Sequence, residues 1–158
     1  MRSNCGSVPR LEGGGHLARP MGALKILIAD DHQSVRVLLR NILESVPNWK
    51  VCGELSNGSA VISSVRSLHP DVIVMDLMMP ECNGLEATRE LLRSEPEARV
   101  VLTTLHEFPS FAEEAQRVGA CGCFFKAESG RQLIPAVRRA AERKPFFTSH
   151  DLGACRPS

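Results

Sequence analysis

The sequence predicts a doubly wound α/β domain built from five successive βα units. Two observations carry this. Short apolar runs of strand length alternate with stretches of helical periodicity from about Leu24 to Phe147. Charged or hydroxyl residues stand at the ends of four of those runs, where a parallel sheet presents one rim.

Leu24 to Ala29 reads as a buried strand that ends in Asp30-Asp31. Val35, Leu38, Leu39, Ile42, Leu43 and Val46 then recur at helix spacing until Pro47 stops the helix. Trp49 to Leu55 is a second strand, and Asn57-Gly58 opens a helix that Pro70 closes. Val72 to Met75 is a third, strongly apolar strand ending in Asp76, followed by a helix from about Leu85 to Ser94. A strand from Arg99 to Thr103 ends near Thr104, and a short helix covers about Ser110 to Val118. Gly122 to Phe125 makes a fifth strand running into Lys126, and Gln132 to Arg143 is the last helix. Right-handed crossovers place such helices on both faces of a parallel sheet.

Composition fits this reading. The chain has 158 residues, room for one ordinary domain, and a formal net charge of +1, which gives no support to bulk attraction to nucleic acid. Hydrophobic residues at 43% exclude a disordered polar chain, and no apolar run is long enough to span a membrane. With no Tyr and one Trp, a stacking platform for single strands is not expected. Residues 1–22 read as a flexible leader and 148–158 as a tail or the start of a linker, which leaves 23–147 as the domain. Six cysteines (Cys5, Cys52, Cys82, Cys121, Cys123 and Cys155) lack the paired spacing of a zinc site and read as free thiols.

By the rule for open α/β sheets, Asp30, Asp31, Asp76, Thr104 and Lys126 converge on the carboxyl rim of the sheet. Three crowded carboxylates repel one another unless a cation joins them, and oxygen ligands on an open rim suit Mg2+. Plainer roles exist for each residue alone. Asp30-Asp31 could be an N-cap pair, Asp76 a turn residue, Thr104 a cap, and Lys126 a neutralising partner. Taken together they supply a carboxylate nucleophile, a metal site and a cation, which is what phosphoryl transfer to a carboxylate requires.

The segments ILIADDHQSVRVLLRNIL, HPDVIVMDLMMPECNGLEATRELL, VVLTTLH and GACGCFFK resemble, in order and spacing, the receiver domain of two-component response regulators. Their wording is most similar to the NarL/FixJ type, whose members usually carry a LuxR-type helix-turn-helix after the receiver. The resemblance implies a flavodoxin-like (βα)5 fold with a five-stranded parallel sheet in the order 2-1-3-4-5. It implies that Asp76 is the phosphoacceptor, taking its phosphoryl group from a sensor histidine kinase. It further implies that Asp31, Asp76 and the main-chain carbonyl of Met78 ligate Mg2+, with Asp30 acting through water. Lys126 and Thr104 would hold the phosphoryl group, Pro80 and Gly84 would shape the loop after Asp76, and Met78 and His106 would tune the phosphoaspartate lifetime.

The expected protein is therefore a cytoplasmic switch rather than an enzyme, with self-catalysed phosphorylation and slow dephosphorylation, and homodimerisation on phosphorylation as one outcome. With only 11 residues after Phe147, DNA binding by this chain itself is not expected. Two departures stand out. Cys123 occupies the position, three before the lysine, where such receivers commonly place Tyr or Phe, and Phe124 should face the other side of the sheet. Ala127 follows the lysine where many receivers have Pro. Cys123 favours the alternative of a phosphorylation-independent interaction module; retention of all five rim residues favours the switch.

Overall fold

A computed structural model describes residues 22–147; the leader, the tail, Cys5 and Cys155 therefore lie outside the described residues, apart from Gly22. The strands are β1 (Leu24–Ala29), β2 (Trp49–Leu55), β3 (Val72–Asp76), β4 (Val100–Thr104), β5 (Gly122–Phe125) and β6 (Phe146–Phe147). Between them run α1 (Gln33–Glu44), α2 (Val61–Leu68), α3 (Gly84–Ser94), α4 (Phe111–Val118) and α5 (Ser129–Ala141). All strands pair in parallel, in the order β2-β1-β3-β4-β5-β6.

Alternation along the strands divides the core in two. Leu27, Ala29, Ile73, Met75, Leu102, Cys123 and Phe125 pack on one face against α2, α3 and α4, through Val65, Leu91 and Phe111 among others. Ile26, Ile28, Val72, Val74, Val101 and Phe124 pack on the other face against α1 and α5, through Leu39, Leu43, Leu133 and Val137. The doubly wound expectation holds, and so does the assignment of Cys123 and Phe124 to opposite faces, because a one-residue step along a strand reverses the side chain.

The expected order 2-1-3-4-5 holds, and a short sixth strand extends the sheet beyond β5. Phe146–Phe147 returns after α5 and pairs in parallel with Gly122 and Cys123. Two residues carry no periodicity, so no sequence pattern announces this strand. Its register depends on Gly122, since a Cβ there would stand 2.5 Å from the Phe146 carbonyl oxygen. Several helix ends also move. The last helix starts at Ser129, because a 3-10 turn over Lys126–Glu128 leads straight into it, and stops at Ala141. The positive φ of Arg143 (59°) helps turn the chain after it. Helix α2 begins only at Val61, since the Asn57 side chain bonds Ser59 and the Ala60 amide and holds that stretch as a loop.

Gly84 opens α3 where its amide donates to the Leu77 carbonyl at 2.7 Å. A Cβ at this position would lie 2.4 Å from the Asp76 carbonyl oxygen and 3.0 Å from the Leu77 Cα, both parts of the main chain. Gly130, in α5, would meet nothing within 4 Å. Gly84→Ala should therefore cost about 1–3 kcal/mol in urea unfolding through overpacking. Gly130→Ala should gain about 0.5–1 kcal/mol from lower backbone entropy in the unfolded chain. Equal effects of the two substitutions would contradict the packing of Gly84 under Asp76.

Candidate functional site

The carboxyl ends of β1, β3, β4 and β5 bring together each rim residue that the sequence nominates. Asp30 follows β1 and is 1% exposed; Asp76 is the last residue of β3 and is 3% exposed. Lys126 follows β5, and its ammonium lies 2.9 Å from Asp76 Oδ2 and 2.5 Å from Asp30 Oδ2. Asp31 stands beside them, partly open to solvent, with Oδ1 2.8 Å from His32 Nδ1.

The N-cap reading of the Asp30-Asp31 pair is not what forms. His32 is the N-cap residue of α1, and its side chain makes no capping hydrogen bond. Asp30 Oδ1 instead accepts from the His32 amide at 2.8 Å, and the Arg36 guanidinium donates to the Asp30 carbonyl at 2.6 Å. Asp30 is thus fastened by the His32 amide at its carboxylate and by the Arg36 side chain at its carbonyl. Sequence reasoning passed over both fastening residues: His32 adjoins the acidic pair, and Arg36 sits one helical turn further along α1.

Thr104 closes β4 and is fully buried. Its hydroxyl accepts from the His106 amide at 3.3 Å and donates to the His106 carbonyl at 3.4 Å, so it steadies the loop after β4 through two long bonds. The Met78 amide donates to Asp76 Oδ1 at 3.3 Å, which sets the Met78 peptide beside the carboxylate, while the side chain is exposed. No cis peptide occurs among the described residues, Lys126–Ala127 included.

Electrostatics follow from this crowding. Burial pushes the Asp76 carboxyl above its ordinary value, Lys126 pulls it back, and the nearby Asp30 charge adds to the rise. Three carboxylates face one ammonium, which leaves an excess of negative charge in a partly buried site. Asp30 Oδ2 and Asp31 Oδ1 are buried atoms with no well-oriented hydrogen-bond donor among the described residues. One atom each from Asp30, Asp31, His32 and Asp76 lies within 4.8 Å of the others. Excess negative charge and converging ligand atoms both fit a divalent cation.

Without such a cation, Lys126→Met should leave two buried carboxylates uncompensated and cost roughly 3–5 kcal/mol in urea unfolding with chelator present. Asp76→Asn should act in the opposite sense. The folded chain holds the Asp76 proton more tightly than the unfolded chain, so this group's contribution is complete below the ordinary carboxyl value and lost as pH rises through the raised one. The stability of Asp76→Asn relative to wild type should therefore grow as pH rises above the ordinary carboxyl range, measured by urea unfolding in chelator.

A family model for the response regulator receiver domain matches residues 26–138. The response regulator GacA of Pseudomonas aeruginosa is 36% identical over 116 residues, covering 73% of this chain and 54% of that protein. UvrY of Escherichia coli strain K12 is 32% identical over 126 residues, covering 80% of this chain and 58% of that one. The chain thus spans just over half the length of these relatives. A LuxR-family two-component response regulator from Aurantimonas sp. SI85-9A1 superposes with a TM-score of 0.79 at 28% identity, over 83% of this chain and 94% of that one. The signal receiver domain of NarL from Mycobacterium tuberculosis gives 0.71 at 26%, over 77% and 98%. In sequence and fold alike, the chain belongs to the response regulator receiver domain family.

Proposed function

We propose that Asp76 accepts a phosphoryl group from a phosphohistidine of a sensor histidine kinase, in a Mg2+-dependent reaction, and that the phosphorylated domain relays the signal through an altered surface. The observation that carries this is the Asp76 carboxylate, at the end of a central strand, with the Lys126 ammonium at 2.9 Å and two further carboxylates beside it. Mg2+ would be held by Asp31, Asp76 and the Met78 carbonyl, with Asp30 engaged through water, and would supply charge stabilisation for the transferring phosphoryl group.

The chain's own residues do the rest. An Asp76 oxygen attacks phosphorus in line; the P–N bond breaks with its electron pair going to the donor imidazole, which is protonated on its other nitrogen and so leaves as a neutral histidine. Lys126, already turned toward Asp76, pairs with the phosphoryl oxygens. Thr104 can exchange its two long contacts with His106 for a bond to the same group at little cost, which couples the loop after β4 to phosphorylation. Water later cleaves the acyl phosphate, with Met78 and His106 at the rim positioned to set its lifetime. This is a switch with self-catalysed chemistry rather than a turnover enzyme.

The changed surface would involve α4, β5 and α5, and would serve homodimerisation or an output partner. No helix among the described residues is long and apolar enough to cross a membrane, and we place the switch in the cytoplasm. A second reading, a phosphorylation-independent interaction module, is favoured by one observation: Cys123 is fully buried where an aromatic ring commonly sits in this family.

Incubation with acetyl phosphate and Mg2+ should add one phosphoryl group by intact mass. Asp76→Asn should gain none, and chelation should abolish the adduct in the wild type. An adduct that survives Asp76→Asn would overturn the assignment of Asp76. No adduct on the wild type would leave the interaction module as the better reading.

A further inference from the structure

Phosphoryl transfer as described above leaves His32 without a role, yet its ring is turned into the site. Nδ1 lies 2.8 Å from Asp31 Oδ1 and 3.5 Å from Asp30 Oδ1. The main chain that carries the ring is held by the His32 amide on Asp30 Oδ1 and by Arg36 on the Asp30 carbonyl. The ring makes no capping bond to α1, so helix formation does not require it. Its nitrogen stands with one oxygen from each of the three carboxylates inside 4.8 Å, and those carboxylates outnumber the single Lys126 ammonium that pairs with them.

Three carboxylates plus an imidazole differ in kind from an oxygen-only rim. Mg2+ favours oxygen ligands and retains its waters, whereas Mn2+, Co2+, Ni2+ and Zn2+ accept imidazole nitrogen readily. We propose that His32 ligates a first-row transition-metal ion directly through Nδ1, and that this ligand gives the site a preference for such ions over Mg2+. The neutral ring coordinates with its hydrogen on Nε2, exchanging the Nδ1 contact to Asp31 for a bond to the metal. The inference rests on the reading of the acidic rim as a divalent-cation site and adds a ligand to it.

Mn2+ tests it without any phosphoryl donor. Titrating the full chain with Mn2+ should deplete the free-ion EPR signal, and pulsed EPR of the bound ion should show 14N modulation from a coordinated imidazole. His32→Gln should abolish that modulation and weaken Mn2+ binding about tenfold, while Mg2+ binding, measured by competition, changes less than about twofold. Bound Mn2+ without 14N modulation in the wild type overturns the proposal and leaves the acidic-rim reading intact. So does modulation that persists in His32→Gln, or equal weakening of both ions. No Mn2+ binding by the wild type overturns both.

Discussion

The structure depends on one cation held between buried carboxylates. Lys126 reaches Asp30 and Asp76 from a position almost closed to solvent, and among the described residues no other Lys or Arg forms an ion pair with either carboxylate. Such an arrangement contributes little stability of its own, since desolvation offsets most of the attraction. What it supplies is placement. The ends of β1, β3 and β5 are tied at a single point, and that point keeps more negative charge than the ammonium neutralises. The domain is thus assembled around an electrostatic deficit that a divalent cation can relieve.

The surroundings of that point divide into rigid and yielding parts. Gly84 lets α3 start against the Asp76 and Leu77 main chain, so the carboxylate sits on a support with no slack. Arg36 and the His32 amide fix Asp30 in the same way. Thr104, by contrast, holds its loop by two contacts near the outer limit of hydrogen bonding. The element best able to move beside Asp76 is therefore the one reporting on β4 and the helix after it. Fixed ligands and a loosely held hydroxyl are a suitable division of labour for a receiver, where chemistry needs precision and the response needs freedom.

Much of this was legible before any coordinates. Strand length, helical periodicity and the residues at strand ends located Asp30, Asp31, Asp76, Thr104 and Lys126, because a parallel sheet gathers its carboxyl ends whatever the distance in sequence. What was not legible follows from the limits of pattern. His32 reads as one more residue in a turn, and only the rotation of its ring makes it part of the site. The start of α5 moved because Lys126 continues into a 3-10 turn, which leaves no periodic mark. The Phe146–Phe147 strand is two residues long and exists through its fit to Gly122, a pairing between positions that no local rule connects.

That last strand sets how the domain can meet other molecules. With Phe146 and Phe147 paired to β5, Gly122 and Cys123 are no longer an open backbone edge, and another chain cannot pair with them. Contact at Gly122 and Cys123 must then be made by side chains, whose shape and charge can be altered, rather than by main-chain bonding, which is indifferent to sequence. Because β6 runs parallel to β5, Phe147 also heads toward the end of the sheet that carries Asp76 and Lys126.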